Sequence, residues 1–228
     1  MTMWKVGCLA GIAAIIVFAE HAQAIVVLDQ EFWPTTIAGS DTYTAGNYRP
    51  GGITYHEIVA QTFTVGVAGI LDHVDLLLCQ PAAVTADAIF SITGLTALGL
   101  PDEGTQLASG TIPASDIPTT WGSVSVDMSA FDLAVTPGTT VAFILGYPYS
   151  SYPTSYCYWG GQNGNPYAGG QAGARLTVPS RAWGMGTIDV GFRTYVNTPS
   201  SVPDAGATSL LLGFGIAGLI GVQRRLVA

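Results

Sequence analysis

The chain has 228 residues, of which 10% are charged and 49% hydrophobic, and it carries a formal net charge of −8. An acidic balance of this size repels phosphate backbones, so nucleic acid is not an expected partner. Three cysteines in a chain of this length are too few for a disulfide-built scaffold, and the fold must rest on a hydrophobic core.

At the N-terminus, Lys5 precedes an apolar run from Val6 to Ala19, and Ala22-Gln23-Ala24 supplies an A-x-A cleavage pattern. This is the layout of a secretory signal peptide over residues 1–24, and it directs the rest of the chain to an export route. Cys8 opens the apolar run instead of following it, which is the wrong place for a lipid-bearing cysteine. With Lys5, Glu20, Asp204, Arg224 and Arg225 set aside, 13 acidic and 4 basic side chains remain. Residues 25–198 are enough for one ectodomain with a full core.

That ectodomain reads as strands joined by turn chemistry, with no amphipathic helix. Ile25 to Phe32 and Ile58 to Val65 are the first two candidates. From Ile70 to Leu78 the chain alternates with period two, Asp72 being the exception, and Val124, Val126 and Met128 alternate cleanly with Ser123, Ser125 and Asp127. Ala88 to Thr93, Gln106 to Ile112, Thr140 to Gly146, Ser155 to Trp159, Ala174 to Val178 and Asp189 to Val196 complete the set. Thr136-Pro137-Gly138-Thr139 is a turn, with Pro presetting φ and Gly free to take a positive φ. Val141 to Leu145 is apolar on both faces and is expected to be a central strand. Many short strands with abundant Gly predict an all-β fold, an antiparallel β-sandwich or barrel.

Cys79 and Cys157 are the two cysteines left after signal removal, in a compartment that permits oxidation, and a disulfide between them is expected. Closing so long a loop would stabilise by about 4 to 5 kcal/mol in the chain-entropy model. Two separate buried thiols are the alternative. The segment from Tyr147 to Trp159 holds the densest aromatic composition, and Pro148 and Pro153 keep its first half out of a central strand. Tyr147, Tyr149, Tyr152, Tyr158 and Trp159 are therefore candidates for a surface that meets sugar faces or proteins, against the alternative that they pack in the core.

Catalytic material is sparse. His56 and His73 are the only imidazoles beyond the signal peptide; His73 with Asp75 and His56 with Glu57 are weak metal-ligand pairs, and a solvated strand face explains the former as well. Asp102-Glu103-Gly104 and Asp116, in expected loops, are candidate ligands for a structural Ca²⁺, although no ligand loop is recognisable. No G-x-S-x-G, H-E-x-x-H or P-loop is present, so no catalytic residue and no cofactor is assigned.

The chain closes on Val202-Pro203-Asp204-Ala205-Gly206, an uncharged stretch reaching Val222, and Arg224-Arg225. Its length approaches the roughly 20 residues of a spanning helix, and the Arg pair is a cytoplasmic flank. Gly213-Phe214-Gly215-Ile216-Ala217-Gly218 matches G-x-G-x-x-G formally, but no βαβ unit surrounds it, so no dinucleotide site is expected. Signature, apolar helix and Arg pair together resemble the PEP-CTERM class of bacterial sorting tails in its Val-Pro-Asp-Ser-Gly variant, with Ala205 in place of the Ser. The resemblance implies an exosortase-type processing enzyme as partner and a temporary membrane anchor over residues 199–228. Segments 60–65, 137–143 and 189–195 resemble jelly-roll-type β-sandwich ectodomains that precede such tails. The combined reading is an exported, transiently inner-membrane-anchored protein of the envelope, surface or extracellular matrix, structural or adhesive. A module binding extracellular polysaccharide and a secreted carbohydrate-active hydrolase are the alternatives.

Overall fold

The computed structural model describes residues 24–81, 84–149 and 155–199. Residues 1–23 of the expected signal peptide, the signature and apolar stretch with its Arg pair, and Tyr152 lie outside them. The described residues belong to one unit, Ala24–Pro199, and fold into strands β1 (Ala24–Phe32), β2 (Thr42–Tyr48), β3 (Tyr55–Thr64), β4 (Gly69–Cys79), β5 (Ala88–Leu95), β6 (Pro101–Ile112), β7 (Gly122–Asp127), β8 (Ala134–Val135), β9 (Thr140–Gly146), β10 (Ser155–Asn163), β11 (Ala172–Val178), β12 (Gly184–Met185), β13 (Ile188–Val190) and β14 (Phe192–Pro199). The expectation of an antiparallel all-β fold holds, and no helix among the described residues is long and apolar enough to cross a membrane.

The strands pair in the order β1-β14-β4-β10-β2-β3-β9-β5-β6, with β11 on β3, β12 on β11, β13 on β10, and β7 and β8 on β4. The sheet folds over on itself into two facing layers. Phe192 of β14 lies 5.9 Å from Phe63 of β3 and 5.5 Å from Phe143 of β9, although β14 is hydrogen-bonded to neither strand. Phe63 and Phe143 stack at 4.4 Å, and Phe90 of β5 joins Phe143 at 5.3 Å. Rings at these separations gain beyond their buried area, so this cluster clamps the layers together.

Side-chain alternation explains most of the packing. Val124 and Val126 of β7 face Leu76 and Val74 of β4 across the ladder, and all four are buried. The irregularity at Asp72 is a β-bulge: Tyr195 pairs with His73 and Val196 with Leu71, so Asp72 has no opposite residue. Its carbonyl accepts the N–H of Met128, and the extra residue lets Leu71 and Val74 both reach the core. The turn at 136–139 has its Thr139 N–H bonded to the Thr136 carbonyl and Gly138 at φ 84. β9 is buried on both sides, with Phe143 in the main core and Ile144 in a second small cluster with Ile58 and Ala60, against which Trp183 packs.

Among the buried polar residues, Gln61 and Asp189 form one network. Gln61 of β3 donates to an Asp189 oxygen at 3.2 Å and accepts the Val190 N–H at 3.0 Å, while the other Asp189 oxygen accepts the Tyr167 N–H at 2.8 Å. This network ties β13 and the glycine-rich segment before β11 to the centre of the sheet. Burial pushes the Asp189 carboxyl above its usual range, against the pull of these donors.

Several expectations are corrected. β2, β8 and β12 fall outside the strands that the sequence pattern predicts, because their short or glycine-rich sequences carry little alternation. Asp102 to Gly104 lies in β6, not in a loop. The expected Cys79–Cys157 bridge is replaced by two free thiols. Cys79 pairs across the ladder with Tyr158, and Leu78 with Trp159. Paired residues share a face and successive residues alternate, so Cys157 points to the opposite side of the sheet from Cys79. Cys157 is in the core, and burial pushes its thiol up to about 12.

Candidate functional site

The aromatic segment is divided by the pleat. Trp159 is 0% exposed and donates its indole N–H to the Gly191 carbonyl at 2.9 Å. Tyr147 is also buried, so these two rings are core and are withdrawn from the expected surface. Tyr149 is 54% exposed, and Tyr158 is half-buried on the outer side of β10.

What gathers around Tyr158 was not visible in its own segment. Tyr156, two residues earlier on the same face, meets Tyr158 edge-on at 5.5 Å and Tyr48 of β2 at 6.4 Å, and Tyr48 stacks on Tyr55 of β3 at 5.6 Å. Four half-buried tyrosines from three adjacent strands thus form one surface. Tyr48 and Tyr55 are a direct cross-strand pair, and Tyr156 lies opposite Gly46. Gly46 is what allows the approach. Its φ is 123°, and a Cβ there would meet the Ser155 carbonyl, the Tyr147 ring at 2.7 Å and the Tyr156 Cα at 2.8 Å.

One carboxylate belongs to this surface. The Tyr48 hydroxyl donates to Glu57 at 2.8 Å. Burial raises the Glu57 carboxyl while this hydrogen bond opposes the rise, and burial together with the adjacent Glu57 holds the Tyr48 phenol well above its usual range. His56 works on another part of the structure. Its Nε2–H donates to the Tyr147 carbonyl at 2.7 Å, its Nδ1 faces the Thr177 hydroxyl, and its ring meets Tyr149 edge-on at 5.7 Å. It therefore pins the start of the 147–149 segment, and the pairing of His56 with Glu57 as ligands is not what these contacts build.

The other ligand candidates have protein partners as well. His73 is hydrogen-bonded to Asp72 at 2.7 Å and stacked on Tyr195 at 4.1 Å. Asp102 caps the Gly104 N–H at 3.0 Å and takes the Thr105 hydroxyl, Glu103 takes Arg175 at 2.7 Å, and Asp116 takes the Ser115 hydroxyl at 3.0 Å. Among the described residues no group of three or more His, Cys, Asp or Glu side chains is placed to hold a metal. Chemically, the tyrosine surface offers flat ring faces and phenol tips beside one carboxylate, an arrangement for contact with hydroxylated rings or protein.

Comparison with known proteins adds one specific match, at the other end of the chain. Residues 201–226 match the model of the VPDSG-CTERM motif. Among solved structures, the chain is similar to the cysteine protease and lectin-like domains of Cwp84, a surface layer associated protein of Clostridium difficile, at 11% identity and a TM-score of 0.41, over 71% of this chain and 37% of that one. The chain thus spans little more than a third of that protein's structure. No curated protein matches it.

Proposed function

We propose that this protein, whose chain ends in a PEP-CTERM-type sorting tail of the VPDSG variety, is an exported structural or adhesive component of the cell envelope, surface or extracellular matrix. The observation that carries the reading is the motif match over residues 201–226. An exosortase-type enzyme acts on such a tail, the apolar stretch holds the substrate at a fixed depth, and the Arg pair keeps the end of the chain cytoplasmic. The two-layer ectodomain is read as jelly-roll-like and is the part delivered outside. Peptide mass spectrometry of protein from the native host tests this. Mature protein is expected to lack residues 210–228; their retention in an inner-membrane species would make this an ordinary anchored ectodomain.

The tyrosine surface favours a second reading, a module that contacts extracellular polysaccharide. Fold carries no such implication by itself. Replacing Tyr156 and Tyr158 with Ala is expected to lower binding to host surface polysaccharide about tenfold or more, as for aromatic contact residues. Unchanged retention on the polysaccharide, with the double variant shown to be folded, would remove this reading.

A further inference from the structure

A second recessed site lies on the face of β3, β9 and β5 turned away from the main core. Ile58 and Ile144 are set apart from the main core cluster, and with Ile89 they supply the apolar part of a cavity of about 240 Å³. Ser91, Thr93, Glu103, Gln106, Gly146 and Tyr147 line the rest. Its shape comes from the β5–β6 hairpin. The ladder shifts register on both sides of Thr93, and β6 beyond it bends over the face. Arg175 of β11 and Glu103 of β6 lie at opposite ends of the run β11-β3-β9-β5-β6, a span of roughly 19 Å in a flat sheet. Their side chains nevertheless meet at 2.7 Å. The trough beneath is closed at one end by this ion pair, and the Arg175 guanidinium also lies 5.9 Å over the Trp183 ring.

Thr93 is 1% exposed, lines the cavity, and its Oγ1 has no hydrogen-bond partner. The Nε of Arg175, whose guanidinium pairs with the lining residue Glu103, is a second buried polar atom without one. A native fold leaves few such groups unserved, and one at a cavity wall marks a place where an external hydroxyl would complete the set. We propose that this trough binds one neutral pyranose unit, as a chain end or a single residue of a glycan. The isoleucines match the C–H face of a sugar ring, and Ser91, Thr93 and Gln106 match its hydroxyls. Glu103 is the one charged residue in the lining and is neutralised by Arg175, which disfavours an anionic ligand. The cavity falls below the roughly 300–1,000 Å³ of sites for larger ligands, and a purely apolar guest would leave Thr93 unserved. The site is separate from the sorting tail and from the tyrosine surface, and its failure would leave both readings of the preceding section untouched.

Saturation-transfer NMR on the exported protein, with methyl glucoside, methyl mannoside and methyl galactoside at millimolar concentration, tests it. At least one glycoside is expected to respond. The response should weaken about two- to tenfold in Thr93→Val and in Gln106→Ala, the loss of one hydrogen bond in each case, and persist in the Tyr156→Ala/Tyr158→Ala variant. Thr93→Val keeps the shape of the side chain and Gln106 is exposed, so both variants are expected to melt with the parent protein. Silence from all three glycosides, equal response in both cleft variants, or loss of the response in the tyrosine variant would each overturn the proposal.

Discussion

At the scale of single residues, burial decides chemistry that composition leaves open. Tyr147, Tyr158 and Trp159 are alike in sequence, yet two are core and one is surface, because the pleat sends alternate residues to opposite sides: Tyr147 continues the inward phase of Phe143 and Leu145, and Trp159 faces in beside an outward Tyr158. The same alternation separates the cysteines. Maleimide labelling of the native exported protein is therefore expected to modify Cys79, which is partly exposed, and to reach Cys157 only after unfolding. Resistance of both thiols until a reductant is added would mean that they are bridged. Asp189 gives a pH prediction. Its carboxyl is raised in the fold by burial, so the folded state binds its proton more tightly than the unfolded chain, whose Asp titrates near 3.9. The contribution is fully present below that value and is lost as pH rises through the folded value. Asp189→Asn should flatten the fall of stability with pH in that window, measured as denaturant midpoints across a pH series. Glu57 is raised in the same direction and supplies a residual slope that the variant retains. Identical slopes in the two proteins would show that Asp189 does not titrate across folding.

At the scale of elements, two irregularities do more than the regular ladders. The bulge at Asp72 is legible in the sequence as the break in an otherwise period-two strand, and its consequence, a change of phase that puts both Leu71 and Val74 inside, follows from strand geometry. Gly46 is not legible in this way. It lies in a short strand with weak alternation, and only the pairing of β2 with β10 shows that its backbone conformation admits β10 and seats the Tyr147 ring. Gly46→Ala forces a positive φ on a residue with a Cβ and drives that atom into β10. A loss of at least about 1–3 kcal/mol is expected from the backbone strain alone, read from the shift of the denaturant midpoint. A variant as stable as the parent would mean that β2 re-registers without cost and that the tyrosine surface does not depend on this residue.

At the scale of the whole molecule, the proposed delivery and the proposed recognition rest on separate parts of the chain, and they should fail separately. Neutral replacements of Arg224 and Arg225 are expected to weaken membrane retention and reduce processing, whereas changes at Pro203 or Asp204 should block cutting and leave the apolar stretch attached, both read by C-terminal peptide mass spectrometry and cell fractionation. Normal processing of all four variants would detach the sorting reading from these residues. The tail motif, the all-β class, the turn at 136–139 and the two-sided burial of β9 can be read from the chain alone. Each of these is written in contiguous residues, through composition, period or turn chemistry. Which tyrosines share a surface, on which sides of the sheet Cys79 and Cys157 point, and that Arg175 reaches Glu103 emerge only from the three-dimensional arrangement. The residues concerned are separated by as many as 110 positions, from Tyr48 to Tyr158, and 72, from Glu103 to Arg175. What joins them is strand order, register and the bend of one hairpin, which a local pattern does not encode because a shift of one residue in any ladder would exchange every inward side chain for an outward one.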